Sequence, residues 1–174
     1  MRISGTGKQV VGESKDATVA CLEYAYFLFD DITLEAAKSG RSTCRICAQK
    51  IQAGMQRVGV KVFKGGRYVV QWRHPSCFLH QCQVNKADSN RGKCRVSQTP
   101  FEKGALRFGW GNGQGGFSYT LVKHVGATAI PRILLQEALS PDDLQGVALL
   151  TASDKDKLHA ALAQTADSLI DANM

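Results

Sequence analysis

No uninterrupted apolar stretch of the chain approaches the 18 residues that a membrane-spanning helix requires, so a span is not expected and no membrane partner is assigned. No compact apolar core follows a basic start, so a secretory signal is not expected either. Met1 to Lys15 carries Arg2, Lys8 and Lys15 against Glu13, without the Arg-rich amphipathic pattern of an organelle presequence. Acids are scarce where bases are dense. Between Lys38 and Arg95 there are 13 Lys or Arg and one acid, Asp88, whereas the rest of the chain holds nine basic and 14 acidic residues. A block this one-sided, in a chain of net charge +7, points to a polyanion-binding face; the plainer reading is a solvated charged surface. No nucleophile–base pair and no carboxylate dyad stands out, so an enzyme is not expected. An apolar fraction of 44% with 7% aromatics fits a globular protein, and 174 residues make one domain or two small ones, a size that still profits from a metal staple.

The six cysteines are Cys21, Cys44, Cys47, Cys77, Cys82 and Cys94. Cys44 and Cys47 form a C-x2-C pair, and His74 and Cys77 form an H-x2-C pair after 26 intervening residues. Two short-spaced ligand pairs on tight turns, joined by a longer segment, are how a structural zinc site is assembled. A redox couple would need no downstream His/Cys pair, and no thioredoxin-like βαβ pattern surrounds the thiols. Rival ligands are His80, or Cys82 in place of His74. Between the pairs, Val58 to Phe63 alternates, Lys64-Gly65-Gly66 reads as a turn, and Arg67 to Trp72 is rich in strand formers. This hairpin is too small to stand alone, and one zinc ion per chain would close it into a folded unit.

The residues around these ligands resemble the poly(ADP-ribose) polymerase-type zinc finger. Ala37-Lys38-Ser39-Gly40-Arg41-Ser42-Thr43-Cys44 matches its A-K-S-x-R-x-x-C run, and Trp72-Arg73-His74-Pro75-Ser76-Cys77-Phe78 matches its W-x-H-x-x-C-F run. Gly54 and Arg57 lie between, and the Leu144 to Leu150 run followed by Asp154 to Leu158 resembles the helical segment that packs behind such fingers. The resemblance implies binding to DNA at nicks or ends, without sequence preference, and a nuclear location, with the mitochondrion as alternative. It carries phosphate contacts onto Arg41 and Arg57, which guanidinium chemistry suits. Lys38, Lys61, Lys64, Arg67 and Arg73 would thicken the electrostatic footprint. Phe63, Tyr68 and Val69 are the candidates for stacking on an exposed base pair; the alternative for Phe63 and Tyr68 is packing within the hairpin. The chain has no room for the ADP-ribosyltransferase domain that such fingers usually serve.

Ala37 to Gly59 laid over Ala87 to Gly109, at an offset of 50, gives identities at Ala87, Ser89, Arg91, Cys94, Arg95, Gly104, Arg107 and Gly109. At the same offset His74 falls on His124, but Cys47 falls on Ser97, Cys77 on Ala127 and Trp72 on Val122. This predicts a second finger that has lost its metal and holds its shape by packing Val96, Phe101, Leu106, Phe108, Trp110, Phe117, Leu121 and Val122, with Cys94 still close to His124. Gly111, Gly113 and Gly116 match G-x-G-x-x-G, but the surroundings read as a turn between strands, not as a dinucleotide site. Ser140-Pro141 reads as a helix start, and Ser153 starts a helix with Leu158, Leu162, Thr165 and Leu169 on one side.

The expected fold is α+β: a small zinc-stapled hairpin/helix finger repeated in tandem, the second repeat metal-free, with C-terminal helices packed behind. The expected organisation is a loose segment 1–17, an apolar helix or docking segment 18–34, the finger 35–82, the degenerate repeat 83–135 and a helical segment 136–174. Two functions follow. One is a zinc-dependent module for broken or distorted DNA. The other is a structural zinc subunit or interaction scaffold of a larger complex, such as an RNA–protein assembly, whose Thr18–Phe29 stretch docks a protein partner.

Overall fold

The computed structural model describes residues 31–170, with side chains through residue 163. Thr18 to Phe29, the first 17 residues and Cys21 lie outside the described residues. Two three-stranded antiparallel sheets and a set of short helices make an α+β fold. The first sheet is β1 (Ile32–Ala36), β2 (Gln56–Lys64) and β3 (Arg67–Arg73), in that order. Gly65 and Gly66 both take positive φ, 60° and 80°, so β2 returns into β3 through a two-residue turn of the kind that matches strand twist. A short helix, α1 (Pro75–Leu79), then leads into the second sheet, β4 (Cys82–Lys86), β5 (Leu106–Gly111) and β6 (Phe117–Leu121). A 3-10 turn (Val122–Ala127), α2 (Ile130–Gln136), two further 3-10 turns and α3 (Ala152–Ile170) complete the described chain. Among the described residues no helix is long and apolar enough to cross a membrane.

One core serves both sheets. Val58, Val60 and Val62 alternate on β2, and Phe108 and Trp110 on β5, which is the period-2 pattern of a half-buried strand. They meet Phe78 of α1, Ile130 and Ile133 of α2, and Leu158 and Leu162 of α3. Each large side chain buried there contributes ~1.5–3 kcal/mol. Of the side chains expected to pack the second unit, Phe101, Phe108, Trp110 and Val122 are buried, whereas Phe117 is 41% exposed.

The two sheets share their pairing pattern. Ile32 opposes Val60 in the first and Cys82 opposes Trp110 in the second. Ala37 donates to Met55 as Ala87 does to Ala105, and Cys44 to Gln49 as Cys94 does to Thr99. Up to this point the offset is 50. Beyond the hairpin it is 47: Arg45 donates to Trp72, while Arg95 donates to Tyr119, and the amides of His74 and Leu121 lie at 3.4 and 3.3 Å from the sulfurs of Cys44 and Cys94. The second hairpin ends three positions earlier, with Gly111 paired to Phe117 across a five-residue glycine-rich loop. The gapless alignment is therefore corrected: His124 corresponds to Cys77, Leu121 to His74 and Tyr119 to Trp72.

The C-terminal helix begins at Ala152, one residue before the expected start. Thr151 accepts from the amide of Asp154 at 3.3 Å and donates to its carboxylate at 2.9 Å, a reciprocal cap. Asp154 also meets Lys86 of β4 at 2.7 Å, which fastens α3 to the second sheet. Hydrogen bonds from Lys86 and Thr151 hold the Asp154 carboxyl down at about 2. Since its folded value lies below its unfolded one, its stabilisation is present above about pH 4 and is lost as pH falls through about 2. Melting temperatures measured from pH 5 to pH 2 should therefore converge for the parent and Asp154→Asn, with the parent higher at pH 5. Curves that stay parallel throughout would show that Asp154 does not carry this linkage.

Candidate metal centre

Cys44 and Cys47 sit on the turn that follows β1, closed by the Thr43–Lys50 bridge and the bond from the Ala48 amide to the Cys44 carbonyl. Ala48 takes φ of 60°, and this turns the chain back so that both sulfurs face one point. His74 and Cys77 come from the end of β3 and the first turn of α1, where Pro75 at the helix start fixes the backbone. The bond from the Arg45 amide to the Trp72 carbonyl draws the two pairs together. The ligand atoms of Cys44, Cys47, His74 and Cys77 all lie within 4.8 Å of one another, with His74 Nδ1 3.3 Å from Cys47 Sγ and 3.9 Å from Cys77 Sγ. Donors around a tetrahedral zinc bound by thiolate stand about 3.8 Å apart, so a Cys3His set at these distances fits one ion. His80 is exposed and outside the group, and Cys82 is buried in the shared core, donating to the Phe78 carbonyl, so neither rival ligand joins it.

The thiols differ in their readiness to ionise. Burial pushes Cys44 up, but hydrogen bonds from the backbone of Cys47, His74 and Ile46 and from the Cys47 side chain outweigh it, giving about 6. Burial pushes Cys77 up, and its hydrogen bond to Cys47 and the charge of Cys44 add to this, giving about 12. One ligand is thus a thiolate at neutral pH, and another gives up its proton only to a cation.

The expected nucleic-acid residues divide into three groups. Lys38, Arg41, Lys64 and Arg67 are exposed, as are Phe63 at 52% and Tyr68 at 58%. Phe63 and Tyr68 meet edge to face at the hairpin tip, their ring centroids 5.2 Å apart, and the Lys61 ammonium lies 5.8 Å from the Tyr68 ring. Val69 is half-buried and packs against the shared core, unlike the exposed Phe63 and Tyr68. Arg57 and Arg73 differ from expectation. Arg57 lies 3.6 Å over the Trp72 ring, its guanidinium paired to Glu35 at 2.5 Å and bonded to Ser42, with its side chain 11% exposed. Arg73 is 1% exposed and donates to the Gly111 carbonyl at 2.9 Å, so it takes no place in an exposed footprint. Neither partner carries a motif signal: Glu35 precedes the matched run, and the Arg73 contact spans 38 residues.

In the second unit, Cys94 Sγ lies 3.5 Å from His124 Nδ1 and 3.2 Å from Thr120 Oγ1, so the expected proximity of Cys94 and His124 is met. Burial pushes Cys94 up, and hydrogen bonds from Ser97, Thr120 and His124 bring it to about 6. Arg107 repeats the arrangement of Arg57: it donates to Asn85 at 2.7 Å and lies 4.0 Å over Tyr119. Gly59 and Gly109 each pass beneath the aromatic ring of their own unit, where a Cβ would collide with Trp72 or Tyr119.

Residues 35–87 match the family model for the poly(ADP-ribose) polymerase and DNA-ligase Zn-finger region, so a finger of that type, with a group that can hold one zinc, occupies this segment. The chain is 46% identical over 63 residues to poly(ADP-ribose) polymerase 1 of Oryza sativa subsp. japonica, covering 36% of this chain and 6% of that protein. It is 40% identical over 53 residues to poly(ADP-ribose) polymerase 1 of Gallus gallus, covering 28% of this chain and 5% of that one. The match lies in the finger, and the chain spans about one-twentieth of these relatives.

Cys47→Ser should abolish zinc binding and unfold the first unit, whereas His80→Ala should leave both intact. Zinc affinity from chelator competition should fall at least tenfold per pH unit below pH 8, because the Cys77 proton must be displaced, and more steeply below about 6, where Cys44 also protonates. Full zinc retention by Cys47→Ser, with loss in His80→Ala, would overturn the ligand set.

Proposed function

We propose that this chain is a zinc-dependent module that binds broken or distorted duplex DNA without sequence preference, and not an enzyme. The observation that carries this reading is the exposed Phe63–Tyr68 pair at the tip of the hairpin, flanked by Lys61, Lys64 and Arg67, with the exposed Lys38 and Arg41 on the loop that follows β1 at the hairpin's other end. Cations attract the phosphate backbone whatever the sequence, and an aromatic tip stacks on any base left uncovered at a break. The likeness of residues 35–87 to fingers of poly(ADP-ribose) polymerase 1 supports the same reading, with the nucleus as the compartment and DNA nicks or ends as partner. The mitochondrion is the alternative compartment.

The second unit is read as a copy of the finger without metal. Its shared register, its repeated Arg–aromatic stack and the matching positions of Gly59 and Gly109 support this. At the corrected alignment its four ligand positions hold Cys94, Ser97, Leu121 and His124. A serine and a leucine cannot replace a thiolate and an imidazole at zinc. Hydrogen bonds of Cys94 to Thr120 and His124 fill the place of the ion, and Phe101, Phe108 and Trp110 supply the packing. A scaffold role remains the second reading, favoured by the exposed Leu135 and Leu149, at 71% and 90%.

Titrations of nicked, blunt and closed circular duplex should show tighter binding to the first two. Phe63→Ala should erode that preference, and Arg41→Ala should weaken every DNA alike and flatten the salt dependence by about one unit of slope. Arg57→Ala should lower stability more than it changes the salt slope, because the guanidinium is committed to Glu35 and Trp72. Equal affinity for circular and broken DNA would sink the break-sensing reading. Undetectable binding at low salt would favour the scaffold.

Native mass spectrometry should find one zinc per chain. Cys94→Ser should leave that stoichiometry unchanged, and Phe108→Ala should cost about 3–5 kcal/mol of stability without metal loss. Two ions per chain would refute the metal-free second unit.

A further inference from the structure

The glycine motif at Gly111, Gly113 and Gly116 belongs to no nucleotide-binding βαβ unit, yet its loop closes one side of a pocket of about 460 Å³. The opposite side comes from the metal-binding turn and the end of α1, so both units contribute to it. Three cationic or potentially cationic side chains line it: Arg45 and His80, both exposed, and Arg73. No carboxylate does. Asn112 Oδ1 accepts from the amides of Gln114 and Gly116, which holds the loop in shape, and Gly113 and Gly115, at φ of 73° and 85°, leave no side chain on the pocket wall. Phe117, 41% exposed, stands at the rim.

A second observation points to a missing ligand. Among the described residues two buried side-chain polar atoms have no partner, Gln71 Oε1 and Arg73 Nε. Only Arg73 lines the pocket, and its Nε is a donor that an anion could satisfy; Gln71 Oε1 is an acceptor and packs against Gly113 instead. Arg73 keeps a full guanidinium charge at 1% exposure, with Nη1 shared between Gln81 and Gly111 and the Nε hydrogen bond unmade. Such groups are costly unless a partner arrives.

We propose that this pocket binds a phosphate monoester, the doubly charged terminal phosphate of a mononucleotide or of a polynucleotide 5′ end. Arg45 and His80 meet the phosphate oxygens from the rim, the glycine loop gives a wall without side chains that lets the group approach, and Arg73 supplies positive potential from the wall. Phe117 is placed to cover the attached base or sugar. The volume suits a mononucleotide-sized group. A continuous strand carries only singly charged diesters and cannot end inside the pocket. The polynucleotide arm rests on the DNA-break reading above; the mononucleotide arm does not.

The test uses the full zinc-loaded chain. Nicked duplexes bearing either a 5′-phosphate or a 5′-hydroxyl at the nick are titrated, and AMP and adenosine are titrated separately by calorimetry. The parent should bind the phosphorylated nick about tenfold more tightly than the hydroxyl form, or bind AMP with adenosine silent. Arg45→Gln and His80→Gln, both at exposed positions, should together reduce that discrimination to within twofold, with zinc content and melting temperature unchanged. A preference for phosphorylated nicks without AMP binding assigns the site to DNA ends; AMP binding without that preference assigns it to free nucleotides. If the parent discriminates neither pair, or if the double variant keeps full discrimination, the proposal is overturned. Preference for nicked over circular DNA is read in the same titrations, so failure of the pocket and failure of the break-binding reading are separate results.

Discussion

Three thiols and an imidazole whose donor atoms all lie within 4.8 Å of one another form an arrangement that protein alone holds poorly. As thiolates the sulfurs repel one another. As thiols they leave Cys77 protonated up to about 12 and the cluster without strong bonds. A divalent cation resolves the conflict, because it turns mutual repulsion into shared attraction. The two turns that carry the ligands depend on that resolution, while Val58, Val60 and Val62 seat β2 in the shared core. The two turns that carry the ligands also fix the base of the β2–β3 hairpin. A hairpin anchored at its base presents its tip, Phe63 and Tyr68, at a defined place. The small buried cluster of Ala37, Cys44 and Ile51 is too slight to do this unaided.

The second sheet holds a comparable backbone by other means. Around Cys94, hydrogen bonds link its sulfur to Thr120, His124 and the Leu121 amide, and on the reading proposed above they take the space that the ion takes in the first unit. Its satellite cluster has Phe101 where the first has Ile51, and the larger ring adds apolar contact. The β5–β6 hairpin is also shorter, so less of it projects beyond its support. On the reading proposed above, the copy gave up its metal and its reach together, and the freed loop came to rest against the first unit: Gln114 donates to the Phe63 carbonyl, and Gly113 packs on Gln71.

The local features were legible in the sequence because local chemistry sets them. C-x2-C and H-x2-C spacing describe turns, alternation describes strands, and the Gly65-Gly66 pair describes a tight return; each appears where expected. What the sequence hid depends on distance along the chain. The repeat offset changes from 50 to 47 inside a loop, and a gapless comparison matched the two histidines, where the structure matches His124 to Cys77. Arg57 and Arg73 read as surface cations because nothing local says otherwise. Glu35 and Trp72 claim the first, and burial beneath the Gly111 carbonyl claims the second. Basic residues in a block of one sign were counted alike, yet a guanidinium that has a carboxylate partner adds no net charge to the face. Thr151, not Ser153, caps the last helix because Asp154 completes the reciprocal bond, a pairing that spacing alone allowed at more than one position.

Arg73 ties the metal centre to the interface between the sheets. Burial pushes its guanidinium down, and charge at Cys82 and Cys44 opposes this. Cys82 is pushed up by its own burial and is neutral at physiological pH, which leaves Cys44 and its fellow ligands as the countercharge. Three thiolates and a neutral imidazole around one divalent ion carry a net charge of about −1, by the ordinary charges of those ligands. A buried arginine is tolerable beside such a countercharge. The same side chain bonds to Gln81 and Gly111, which face each other at one end of the β4–β5 pair. Arg73 thus links the metal-binding turn, through the negative charge at Cys44, to the contact between the sheets at Gly111, a connection that no motif joins.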